Sequence, residues 1–232
     1  MDDWPAMNDW DFEKLGTRLF RGIKVDVLDD LSSYHQWNEC RMTMAASLRN
    51  PPKVHMTDFH EVYPELMNDV NISQLFNDKD DFLEIVDSDI RPPQLSFQME
   101  PKRSGTHWRV EVLNGSLWSA LVQGHKRWGL YHPDVFFPPG VVHNKYSIQN
   151  DQSSDPFTWW AYTQPHLHAD RQPLECVQKP GEMLYIPSGW WWSYINLDDS
   201  IGLQEYFGKY EIDEGDDETK EDVRVIPVIA TQ

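Results

Sequence analysis

A few stretches of this chain carry residues whose types and spacing lend themselves to chemistry. His166-Leu167-His168-Ala169-Asp170 sets two imidazoles and a carboxylate close together, a combination that can hold a divalent metal with His143 or His132 as a further ligand. Residues 107–113 alternate, so His107, Arg109, Glu111 and Leu113 share one face of a strand and Trp108, Val110 and Val112 the other. Taken alone, that places an Arg–Glu pair on a solvent face, and Lys126 reads as a hairpin-turn lysine. Cys40 and Cys176 are isolated thiols that form neither a disulfide framework nor a zinc-spaced set, which favours a reducing, intracellular compartment. Phe157, Trp159, Trp160 and Tyr162 read as aromatic core packing in preference to a binding surface. No phosphate-binding glycine loop and no Ser-His-Asp spacing stands out.

The elements that must position these residues follow from periodicity. Residues 10–22 read as a short amphipathic helix with Trp10, Phe12, Leu15 and Leu19 on its apolar side. Ile23 to Leu28 alternate like a strand, and residues 32–48 look helical up to Asn50-Pro51-Pro52. Lys53 to Met56 suit a short strand, and Thr57 caps a helical turn through Leu66. From residue 94 the pattern is strands: Leu95–Met99, His107–Leu113, Trp118–Gln123, Arg127–Tyr131, Glu182–Ile186, Trp190–Leu197 and Ser200–Phe207. Asn114-Gly115, Gly124-His125, Pro180-Gly181, Pro187-Ser188-Gly189 and Asp198-Asp199 separate them, the pattern of an antiparallel sandwich or barrel. The long segment 132–170 reads as functional or inserted.

Composition narrows the function classes. With 232 residues, 40% hydrophobic residues and 11 Trp, the chain has material for one large domain with a real core. Its 38 acidic residues outweigh 20 Lys and Arg, for a net charge of −18. That argues against binding a nucleic-acid backbone or an anionic membrane, and favours a basic protein partner or a metal ion. No apolar run approaches the roughly 18 residues of a membrane-spanning helix, and the acidic start Met1-Asp2-Asp3-Trp4 resembles neither a signal nor a transit peptide. Between Glu211 and Asp222 lie eight acidic residues and one Lys: a solvated tail, or an acidic docking strip. Val223 to Ile229 is apolar enough to pair with a sheet edge, in this chain or on a partner.

Three stretches carry a family signal: Arg103-Ser104-Gly105-Thr106 through Trp118, Ala120-Leu121-Val122-Gln123-Gly124-His125-Lys126-Arg127-Trp128, and Gln178-Lys179-Pro180-Gly181-Glu182 through Pro187-Ser188-Gly189-Trp190-Trp191 to Asn196-Leu197. Together they resemble the JmjC (jumonji C) domain, in the branch of the JMJD-six and phosphatidylserine-receptor-like proteins. The resemblance implies a mainly β fold with peripheral helices, a double-stranded β-helix of the cupin or jelly-roll type. Its implied bounds are residues 10–208, after an extension of residues 1–9 and before an acidic tail of residues 209–232.

Active members of that family are iron(II) and 2-oxoglutarate dependent oxygenases, with iron held by His-x-Asp and a later His. The gapless match puts Arg109 on the first His and Glu111 on the Asp, and Gly189-Trp190-Trp191-Trp192 puts Trp192 on the second His. Arginine is permanently protonated and indole N–H is only a donor, so neither has a lone pair to offer a metal. The resemblance implies that Arg109 occupies the cation position and bonds Glu111 inside the barrel, with Trp192 filling the remaining space. For 2-oxoglutarate it assigns Lys126 to the distal carboxylate, with Thr106, Ser119 and Gln204 on the pocket wall, the last two differing from the family's Asn and Thr.

The expectation is therefore a catalytically inactive JmjC-like domain, not an enzyme, with iron and 2-oxoglutarate lost. It would act as a protein-binding or structural subunit of a larger assembly. Two alternatives stay open: an oxygenase that recruits other ligands such as His107 or His168, and a metal-free small-anion sensor built on Lys126 and Arg109.

Overall fold

The computed structural model describes residues 1, 3–19, 25–26, 39–40, 54–57, 59–72, 95–111, 115–142, 152–153, 155–207, 210–211 and 226–227. Helices α1 (Ala6–Asp9) and α2 (Phe12–Leu19) open the chain. The strands are β1 (Val25–Asp26), β2 (Glu39–Cys40), β3 (Val54–Thr57), β4 (Leu95–Glu100), β5 (Gly105–Arg109), β6 (Ser116–Gln123), β7 (Lys126–Tyr131), β8 (Val141–Val142) and β9 (Gln152–Ser153). They continue as β10 (Leu174–Gln178), β11 (Met183–Ile186), β12 (Trp191–Asn196), β13 (Ser200–Phe207), β14 (Tyr210–Glu211) and β15 (Ile226–Pro227).

Two antiparallel sheets make the frame, one ordered β10-β7-β12-β5 and the other β11-β6-β13-β4-β3. Successive strands β4 to β7 alternate between the sheets, and β10 to β13 do the same, so the second run interleaves with the first. This is the double-stranded β-helix the resemblance implied.

The two periodic faces of each strand go to different places. On β4, Leu95, Phe97 and Met99 join the core that the five-stranded sheet shares with Trp4, Trp10, Leu15 and Phe59 of the N-terminal segments. The alternate residues Ser96, Gln98 and Glu100 are equally buried but polar, and point between the sheets. A second core fills that interior with Leu117, Trp128, Ile186, Trp192, Tyr194 and Tyr206. A third, of Trp108, Tyr131, Trp159, Trp160, Trp191 and Ile195, covers the outer face of the four-stranded sheet. Trp159 and Trp160 of the long segment are thus core, whereas Phe157 and Tyr162 stay exposed.

Some local expectations need correction. The strand read over 107–113 starts earlier and ends at Arg109, and it carries a bulge: Thr106 faces Tyr194 and Arg109 faces Trp192 on β12. One extra residue on β5 lets an even and an odd position share a face, which strict alternation excluded. Strand β10 was not expected, because Glu175 and Gln178 interrupt its apolar pattern. Glu39 and Cys40 pair as strand with Val25 and Asp26, so the helix read over 32–48 does not hold there, and its other residues lie outside the described ones. Ile226 and Pro227 pair with Tyr210 and Glu211, while the acidic run after Glu211 lies outside the described residues. Among the described residues no helix is long and apolar enough to cross a membrane.

Gly105 shows how closely β5 lies against β12, since a Cβ there would sit 2.1 Å from the backbone O of Tyr194. Gly105→Ala should therefore lower stability by about 1–3 kcal/mol, because backbone must shift to admit one methyl. Urea denaturation of the two proteins measures this, and an unchanged midpoint would contradict the packing described.

Candidate functional site

The interior between the sheets holds two polar clusters, both reached from β12. Around the first, Trp192 donates from Nε1 to Glu111 Oε1 at 2.8 Å, and Arg109 Nε lies 3.4 Å from the same oxygen. The Arg109 guanidinium also lies over the Trp192 ring, 5.4 Å from its centroid. Glu111 and Trp192 are buried, but the Arg109 side chain is 46% exposed. The sequence-based expectation put Arg109 inside a closed cavity. It sits instead at the rim, its charge shared between water, Glu111 and the indole face. Burial pushes the Glu111 carboxyl up, and the Arg109 charge and the Trp192 N–H both oppose that rise.

Trp192 is held by stacking on Tyr194 at an interplanar angle of 7° and by contact with Trp128. Trp128 in turn donates to Gln178 Oε1 at 2.9 Å, and Gln178 donates to the backbone O of Ser119 and of Glu182. The indole therefore cannot swing without disturbing three strands. Tyr206 and Tyr194 complete the wall, and both phenols are raised above 10.0, chiefly by burial.

The second cluster surrounds Lys126. Both it and Glu100 are 1% exposed, and Nζ lies 3.1 Å from Glu100 Oε2 and 2.8 Å from Gln98 Oε1. The ammonium also lies 4.2 Å from the centroid of the Tyr194 ring. Tyr194 O–H donates to the Glu100 carboxylate at 2.9 Å, and Asn196 Nδ2 donates to it at 3.0 Å. Gln98 Nε2 donates to Gln204 Oε1, which ties Gln204 to Lys126 through one side chain. Ser119 lies opposite Gln204 on the neighbouring strand, and Thr106 lies opposite Tyr194.

Lys126, Gln204, Ser119 and Thr106 thus all belong to the interior or its wall. Reading the sequence missed Glu100, Gln98, Tyr194 and Asn196. The available signal was polar residues at every second position of Leu95–Glu100, but in an antiparallel strand that pattern ordinarily marks the solvent face.

The outlying candidates do not assemble. His168 Nδ1 meets Asp170 Oδ1 at 2.5 Å with both side chains largely exposed, and His166 turns to the backbone O of Tyr162. His132 pairs with Asp134 instead, and His143 lies outside the described residues. Among the described residues no three His, Cys, Asp or Glu side chains gather as metal donors.

Iron can be tested against the three positions the resemblance assigns to its ligands. Arg109 offers no lone pair, and the Trp192 N–H is already given to Glu111, so one carboxylate is the sole donor. These side chains do not fit a ferrous ion as they stand. Nor is Lys126 free to take a cosubstrate carboxylate, since its charge is met by Glu100.

Two expectations about stability and titration follow. Trp192→Phe removes the N–H that Glu111 accepts while keeping an aromatic ring, and should lower stability by about 1–3 kcal/mol by urea denaturation. Midpoints equal to wild type would show that Glu111 does not need the bond. The alkaline limb follows from the tyrosines: Tyr131 is pushed up to about 12 by burial, and Tyr194 and Tyr206 also lie above 10.0. A phenol whose folded pKa exceeds its unfolded one stabilises fully below the unfolded value, and that stability is lost as pH rises past it. Stability should therefore fall as pH rises beyond 10. Absorbance at 295 nm should show delayed tyrosine ionisation until unfolding, and full ionisation of the folded protein near 10 would contradict this.

Comparison with known proteins places the site in context. A family model described as JmjC domain, hydroxylase, matches residues 96–207. The chain is 31% identical over 211 residues to the lysine-specific demethylase JMJ21 of Arabidopsis thaliana, covering 89% of the chain and 22% of that protein. It is 29% identical over 225 residues to the bifunctional arginine demethylase and lysyl-hydroxylase psr-1 of Caenorhabditis elegans, covering 90% and 54%. It is 29% identical over 109 residues to the 2-oxoglutarate and iron-dependent oxygenase JMJD4 of Mus musculus, covering 44% and 23%. The chain therefore spans from 22% to 54% of the length of these relatives.

These similarities correct two expectations. That the chain is not an enzyme is overturned by relatives named demethylase and hydroxylase, matched over 89% and 90% of it. That iron and 2-oxoglutarate are lost is overturned as well, since one matched relative is named a 2-oxoglutarate and iron-dependent oxygenase and the others demethylase and hydroxylase. The physical reason is scope: a donor count at three positions describes those positions and not everything a domain can bind. The fold, the interleaved strands and the matched segments agree, and residues 96–207 of this chain form a JmjC domain, homologous to the JmjC demethylases and hydroxylases.

Proposed function

We propose that this JmjC domain recognises a Lys- or Arg-rich protein segment and works as a protein-binding subunit of a larger assembly. The observation that carries this reading is the edge of the four-stranded sheet. Strand β10 ends the strand order, so one row of its backbone groups faces away from the sheet. Leu174 is 62% exposed and Val177 44% along that edge. An exposed edge strand that carries apolar side chains invites an added strand from another chain. Leu174 also borders a groove of about 400 Å³, lined in part by Leu130, Tyr131, Val135 and Phe137.

Charge gives the partner its sign. The net charge of −18 favours a basic ligand. The names of two relatives carry lysine and arginine as the residues acted upon, which supports the same class here. Recognition at this edge is separate from chemistry between the sheets and stands beside it.

The test is affinity purification of the full chain from cells, in wild type and in Leu174→Lys/Val177→Lys, followed by quantitative mass spectrometry. The double variant should lose most of one defined set of basic proteins while melting at the wild-type temperature. An identical set recovered by both would contradict the reading. A second reading, favoured by the relatives' names, is an oxygenase acting on such a segment through ligands other than Arg109 and Trp192. Fe(II)-dependent release of succinate from 2-oxoglutarate, raised by the captured protein, would select it.

A further inference from the structure

The Lys126 cluster has the anatomy of a ligand site with a side chain in the ligand's place. The Glu100 carboxylate receives Lys126 Nζ at 3.1 Å, Tyr194 O–H at 2.9 and 3.0 Å on its two oxygens, and Asn196 Nδ2 at 3.0 Å. Three donors from two strands of the opposite sheet therefore converge on one carboxylate. Every member is nine-tenths buried or more: Lys126, Glu100 and Asn196 at 1% exposure and Tyr194 at 2%.

The surroundings hold further hydrogen-bonding capacity. Among the described residues, Gln204 Nε2, Ser96 Oγ and Asn196 Oδ1 are buried without a hydrogen-bond partner. Ser96 and Gln204 face each other across β4 and β13, and Gln204 is bonded to the Gln98 that contacts Lys126. A cluster with spare polar atoms beside a fully satisfied carboxylate is built more generously than one ion pair requires.

We propose that Glu100 is a built-in carboxylate ligand. It occupies a site formed by Lys126, Tyr194, Asn196 and Gln98 that fits a small carboxylate, and a free carboxylate enters only by displacing it. Glu100 thereby sets the affinity of the interior for small carboxylates. An apparent Kd is the intrinsic one divided by the fraction of molecules whose site is competent, so a seated Glu100 weakens every competitor in inverse proportion to the fraction of time it is unseated. The contact is an intramolecular competition. It is independent of the edge-strand reading above, since no residue is shared.

The test removes the tethered carboxylate and supplies a free one. Glu100→Ala leaves a buried, unpaired lysine and should melt below wild type. Formate, acetate and 2-oxoglutarate, each compared with sodium chloride at equal ionic strength, should then raise its melting temperature. The same shift in wild type should need about tenfold more carboxylate or more. Equal responses of variant and wild type to carboxylate would overturn the proposal. If Glu100→Ala does not fold in chloride, refolding in formate is the readout, and equal yields in the two salts would overturn it. Glu100→Ala/Lys126→Met removes both charges, and it should fold without showing the carboxylate response. A retained response there would place the effect elsewhere and would also overturn the proposal.

Discussion

Lys126 and Glu100 lie 3.1 Å apart with 1% of either side chain exposed, and both sheets close over them. A charge in that position costs several kcal/mol to desolvate unless a counter-charge and hydrogen bonds come with it. Lys126 starts β7 in the four-stranded sheet, and Glu100 ends β4 in the five-stranded one. Their pairing therefore fixes where the two sheets meet. Tyr194 and Asn196 on β12 reach the same carboxylate, so three strands are registered through one side chain. An apolar pair would fill the space without setting the register so narrowly.

The other interior cluster obeys the same constraint with a different solution. Glu111 is buried, and it is served by a neutral donor, Trp192, and by a charge at the rim, Arg109. The two clusters touch through Tyr194, which stacks on Trp192 and carries the Lys126 ammonium on its ring. A change at either end is felt at the other through a single aromatic side chain. The interior is thus one network, and its outer supports are Trp128 and Gln178.

The architecture was legible in the sequence because it rests on repeated signals: short strands, turn residues between them, and segments resembling JmjC in the right order. The interior was legible only in part. Arg109, Glu111 and Trp192 were grouped through the resemblance, and the structure brings them together. The bulge on β5 was not legible, because alternation is blind to one inserted residue, and it moves Thr106 onto the face of Arg109. Glu100 was missed because a strand buried on both faces mimics one with a solvent face when its inner side is polar. Strand β10 escaped because an exposed edge strand lacks the apolar run that marks a buried one.

Stability measurements on a double-mutant cycle between Glu100 and Lys126 test the central claim most directly. With Glu100→Gln, Lys126→Met and the double variant, each single change should destabilise by about 3–5 kcal/mol, because it leaves one buried charge unmatched. The double change should cost much less than the sum of the two. Strict additivity, with no coupling between the two positions, would contradict the account that this pair holds the sheets in place.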